Sequence, residues 1–102
     1  SRPDPTEWAT LEGTDGHHYG VVVIDHAHRT ITMAITRTVP GGRAGCAIRT
    51  TRGDLEVLDS WKVRSHGGTW TMDVSAAQTA TPEVAVTTRD GTVVATASFA
   101  DD

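Results

Sequence analysis

Apolar and polar residues alternate with a period of two along most of this chain, and the alternation breaks at Gly, Pro, Asp and His. That pattern predicts short strands joined by turns. A first strand is expected over residues 7–12, then a turn at Gly13-Thr14-Asp15-Gly16. A strong strand over 19–25 turns at His26-Ala27-His28-Arg29 and returns over 30–38. Opposing Asp25 to Thr30 gathers Val22, Ile24, Ile31, Met33 and Ile35 on one face, and a slip of one residue would destroy that segregation.

After a break at Pro40-Gly41-Gly42, residues 46–61 form a hairpin turning at Arg52-Gly53. This register opposes Ile48 to Val57 and Arg49 to Glu56, and sets Asp59 inward opposite Cys46. The polar side chain at an inner position signals either the end of the core or a bulge that turns Leu58 inward. A turn at residues 65–68, a strand over 69–74 and a connector over 75–82 with one helical turn at Ala76-Ala77-Gln78 follow. The last hairpin carries Asp90-Gly91, which suits a type I′ turn. Its expected inner face is Val84, Val86, Val93, Ala95, Ala97 and Phe99, with Thr87 and Thr96 on the other.

Seven to eight short strands with regular turn signals and no helix-period segment predict an all-β fold. The expected form is an antiparallel, immunoglobulin-like β-sandwich. Residues 1–6, with Pro3, Asp4 and Pro5, read as a linker, and residues 7–102 as one domain. Thr and Val are abundant and suit strands, whereas Lys62 is the only lysine.

The net charge of −4 comes without a basic stripe, which argues against a nucleic-acid binder. Cys46 is the only cysteine, so no internal disulfide forms; the thiol reads as a small buried strand residue. No segment is apolar enough to span a membrane. The chain starts at Ser1 without Met and reads as a piece of a longer protein.

Candidate chemistry is thin. His26 and His28, with Asp25 or His66, come nearest to a metal-ligand set, but no Cys/His spacing signature accompanies them. Ser60, His66 and Asp59 assemble a triad only on paper, and no nucleophile elbow or phosphate loop is present. Arg52-Gly53-Asp54 spells an adhesion tripeptide where a hairpin needs its turn. Trp8, Trp61 and Trp70 suit either a core or a partner surface, with Trp61 leaning to the core. The expectation is a non-enzymatic domain with no catalytic, cofactor-binding or metal residues and no cofactor.

The order of motifs resembles the extracytoplasmic C-terminal domain of actinobacterial membrane-anchored anti-sigma factors. The resembling segments are Thr10-Leu11-Glu12-Gly13, Gly20-Val21-Val22-Val23, Thr30-Ile31-Thr32-Met33 and Val39-Pro40-Gly41-Gly42. They continue with Cys46-Ala47-Ile48, Arg52-Gly53-Asp54, Val57-Leu58-Asp59-Ser60-Trp61 and residues 83–94 around Asp90-Gly91. Arg29-Thr30 stands where the family often has Trp-Gly-Thr. The resemblance implies an outer-face domain of a single-pass membrane protein, regulating sigma-factor release and hence transcription. The sigma factor would be bound by a cytoplasmic zinc-containing part not included here, and the membrane touched only by a transmembrane helix of that parent. A regulatory protease or a signal ligand is an implied partner. The alternative expectation is a secreted or surface β-sandwich module for carbohydrate or another small ligand.

Overall fold

The computed structural model of the chain describes residues 5–99; the outer parts of the expected linker, with Pro3 and Asp4, and of the domain's tail lie outside these. The strands are β1 (Thr6–Gly13), β2 (His18–Asp25), β3 (Thr30–Ile35), β4 (Arg43–Arg49), β5 (Leu55–Lys62), β6 (Gly68–Asp73), β7 (Glu83–Thr87) and β8 (Val93–Ser98). A 3-10 turn, Pro40–Gly42, precedes β4, and a short helix, α1 (Ala76–Thr79), precedes β7. Thr6 is already in β1, so the expected linker ends sooner than its sequence suggests. The third strand stops at Ile35, short of the expected end.

All strands are antiparallel and lie in one sheet, in the order β5-β4-β7-β8-β1-β2-β3-β6. The sheet bends where β1 meets β8 through only two residue pairs, Glu12 with Thr96 and Gly13 with Ala95. Two four-stranded halves therefore face each other across the core, giving the sandwich-like all-β fold that the alternation predicts. The topology departs from the immunoglobulin pattern. Hydrogen bonding runs unbroken from β5 to β6, where an immunoglobulin sandwich has two separate sheets.

The β2–β3 hairpin has the expected register, Asp25 with Thr30, Ile24 with Ile31 and Val22 with Met33. Its inner face is buried against Cys46, Ile48, Val84, Val86 and Ala97 of the other half. Each fully buried aliphatic side chain contributes roughly 1.5–3 kcal/mol.

The other two hairpins share one device that the sequence does not reveal. Each closes with three residues, Thr51-Arg52-Gly53 and Arg89-Asp90-Gly91, not two. Gly53 and Gly91, at φ 91° and 89°, supply the left-handed residue that ends such a loop. The odd loop length shifts the register by one near the turn, so Ile48 faces Glu56 and Arg49 faces Leu55. A bulge then restores the expected pairing, so Cys46 does face Asp59. Asp59 itself is exposed, and Leu58 packs against the core.

At β7–β8 the same sequence of events pairs Thr87 with Val93 but Val86 with Ala95. Val94, not Val93, enters the core, which corrects the expected inner face. Thr87 is buried, because its strand is central and its side chain lies over Gly45. Arg49, freed from Glu56, makes its ion pair with Glu83 on β7 at 2.6 Å. Helix α1 is held by a capping box in which Ser75 Oγ accepts from Gln78 N–H and Gln78 Oε1 accepts from Ser75 N–H.

The edge strands β5 and β6 meet without a ladder, and two tryptophans close the gap. Trp61 and Trp70 stack with ring centroids 4.7 Å apart and planes at 28°. Trp61 Nε1 is buried there with no hydrogen-bond partner among the described residues. Trp61→Ala and Trp70→Ala are each expected to lower stability by about 2–3 kcal/mol, with a coupling of about 1 kcal/mol in a double-mutant cycle. Strictly additive losses in urea titrations would show that the stacking itself contributes nothing.

Candidate functional site

The up-and-down course of the chain sorts the candidate residues to two ends of the sandwich. One end carries the His26–Arg29 turn, the Arg52-Gly53 loop and α1. Pro5 and Phe99 lie at this end too: Pro5 O accepts from His26 N–H, and Phe99 N–H donates to Pro82 O. The opposite end carries Asp15-Gly16-His17, the Pro40–Gly42 turn, His66 and the Asp90-Gly91 loop.

The histidines do not converge. His26 Nε2 lies 2.9 Å from Glu7 Oε2, and His28 Nδ1 lies 2.9 Å from Asp25 Oδ2. His17 Nδ1 lies 3.2 Å from Asp15 Oδ2 at the far end. Among the described residues, no three His, Cys, Asp or Glu side chains are placed to hold a metal ion. The aspartates respond to their neighbours. The His28 backbone N–H, then its ring, lowers Asp25 below the ordinary carboxylate range, and the His17 backbone N–H does the same to Asp15.

The paper triad is not assembled. Ser60 N–H donates to Asp59 Oδ1 at 2.8 Å, and Ser60 Oγ accepts from Arg43 Nη2 at 3.2 Å. His66 makes no hydrogen bond to either residue among the described contacts. Arg52-Gly53-Asp54 is exposed in its loop, where Gly53 O accepts from Arg49 Nη1 at 2.8 Å. Cys46 is fully buried, and burial, followed by the negative charge of Asp59, pushes its thiol up to about 12. Such a thiol stays protonated and unreactive at neutral pH. Trp8 is 68% exposed on β1, far along the sheet from the stacked pair.

What the fold does bring together is a set of cations that the sequence alone leaves scattered. Arg43 pairs with Lys62 across β4–β5. Gly45 pairs with Thr87 across β4–β7, the last pair of that ladder, and the loop that follows carries Arg89 to the same end of the sheet as Arg43. Three bases are thus brought together, two on adjacent strands and Arg89 in the β7–β8 loop. They line a hollow of about 490 Å³ with Gly41 and Gly42. Among the described residues none of the three forms an ion pair. Arg43 faces Lys62 across the local β4–β5 hairpin, but Arg89 comes near them only through the non-local β4–β7 pairing.

Compared with protein-family models, curated proteins and solved structures, the chain matches none.

Proposed function

We propose that this chain is the extracytoplasmic regulatory domain of a membrane-anchored anti-sigma factor, acting by binding and not by catalysis. The observation that carries the reading is the order and spacing of the resembling segments. Each coincides with a distinct element: Gly20-Val21-Val22-Val23 with β2, Val39-Pro40-Gly41-Gly42 with the 3-10 turn, Cys46-Ala47-Ile48 with β4 and the stretch ending in Trp61 with β5. In this reading the sigma factor is held by the cytoplasmic part of the parent, and the membrane is crossed by a helix ahead of this domain. Among the described residues no helix is long and apolar enough to cross a membrane. With Pro5 toward the membrane, the end bearing the basic cluster points outward. An outer domain then regulates by interacting differently with two states of its parent, or with a protease acting on it.

Deleting this domain from the full-length parent is expected to change sigma-dependent reporter activity while a pull-down still recovers the sigma factor. An unchanged reporter under every stress applied removes the regulatory role. Direct capture of the sigma factor by the isolated domain overturns the topology.

A second reading, a secreted or surface module for a small ligand, draws support from the hollows at the outward end. The stacked tryptophans do not favour a carbohydrate version of it. Trp61 and Trp70 cover each other's faces at the seam, so they offer no open stacking platform beside a groove.

A further inference from the structure

The hollow at the Pro40–Gly42 end is ringed by three cations. Arg43 and Lys62 are a direct cross-strand pair of like charge, an arrangement that destabilises a sheet unless something neutralises it. Arg89, in the β7–β8 loop, adds a third positive charge to the lining of the same hollow. The neighbouring acids do not relieve it. Asp59 accepts from Ser60 N–H, and Asp90 accepts from Thr88 Oγ1 and from Thr92 N–H within its own loop. Those two Thr hydrogen bonds hold Asp90 as a carboxylate, below its ordinary range. Gly41 and Gly42 present backbone without side chains, and a Cβ at either would meet nothing within 4 Å. The approach to the three cations is therefore open.

A second hollow, of about 650 Å³, adjoins the first through Gly41 and Arg89 and is walled by Pro40 and Val94. Asp90 lines this second hollow and not the basic one, while Arg89 lines both. We propose that Lys62, Arg43 and Arg89 together bind the phosphoryl group of a soluble phosphate ester, whose less polar body lies along Pro40 and Val94. Two arginines suit this ligand because a guanidinium donates two parallel hydrogen bonds to phosphate oxygens. The net charge of −4 disfavours the other source of phosphate, an anionic lipid surface. This inference stands apart from the regulatory role, because it is measured on the chain itself and not through a sigma-factor reporter.

The test is a titration of the 102-residue chain with inorganic pyrophosphate at low ionic strength, followed through backbone amide resonances. Saturable shifts are expected at Gly41, Gly42, Arg43, Lys62 and Arg89. R89Q and the double variant R43Q/K62Q are each expected to weaken binding by about tenfold or more. R52Q, in the loop at the opposite end, is expected to leave it unchanged. All these side chains reach solvent, so the variants should keep the parent's spectrum elsewhere, which the same data report. Shifts that do not saturate through millimolar pyrophosphate overturn the proposal. Equal affinity in R43Q/K62Q and parent overturns it too, as does co-sedimentation with phosphatidylglycerol vesicles without any response to pyrophosphate.

Discussion

Gly20→Ala is expected to abolish the folded state. Gly20 sits on β2 at φ 148°, paired with Ile35, where the β3 backbone runs unusually close. A Cβ built there would stand 1.9 Å from the carbonyl oxygen of Ala34. That obstacle is main chain inside a hairpin, not the end of a flexible side chain. Relief requires β2 and β3 to separate, which exposes Val22, Ile24, Ile31 and Met33, all fully buried. The loss should exceed about 4–5 kcal/mol, the range reserved for core and backbone disasters. Gly16→Ala is the control. Gly16 also has a positive φ, 85°, but a Cβ there meets nothing within 4 Å, so only about 1–2 kcal/mol of backbone strain is added. Circular dichroism with urea titration separates the two. A Gly20→Ala chain that unfolds cooperatively near the parent's midpoint refutes the close approach.

Cys46→Val is expected to resist alkali better than the parent. The folded thiol is raised from 9.0 to about 12, by burial first and by Asp59 second. Below pH 9.0 the thiol is neutral in the folded and unfolded chains alike, so its contribution does not vary. As pH rises from there toward about 12, the unfolded chain releases a proton that the folded chain keeps. Stability then falls by about 1.4 kcal/mol per pH unit, on the order of 4 kcal/mol over the whole window. Valine has no proton to release and fills a similar volume, so that decline should vanish. Urea midpoints of parent and variant at about pH 8 and about pH 11 decide the matter, since the two chains differ at this one group. Parallel declines in parent and variant would show that Cys46 is not the responsible group.

The legible parts of this fold are those in which local alternation and a local turn agree. The β2–β3 hairpin is such a case, because only one register separates Val22, Ile24 and Met33 from their polar neighbours. The β4–β5 and β7–β8 hairpins were legible at their far ends and not at their turns. Thr50-Thr51-Arg52-Gly53 permits a two-residue or a three-residue loop, and the bulge at Leu58 hides the difference beyond Cys46. Asp90-Gly91 offered the same ambiguity, and it exchanged Val93 for Val94 in the core. The order of the strands lay beyond local pattern altogether. No residue near Arg89 announces that it will come near Arg43, so the basic cluster could not be read before the β4–β7 pairing. The His-rich tips were visible as residues but not as pairs, because Glu7 reaches His26 only across β1–β2.

The two-pair corner between β1 and β8 bears on how the chain is made. Glu12 and Gly13 leave the ribosome more than eighty residues ahead of their partners Thr96 and Ala95. Until then one edge of β1 has no partner, and the sheet cannot close however well β2 and β3 have formed. Domains whose pairings span the chain fold slowly, in milliseconds to seconds, and an open strand edge recruits other chains. A ribosome stalled before residue 93 would therefore display a meander with an adhesive border, and only release of the last strand would seal it. Translation speed and the arrival of a holding chaperone then become determinants of yield.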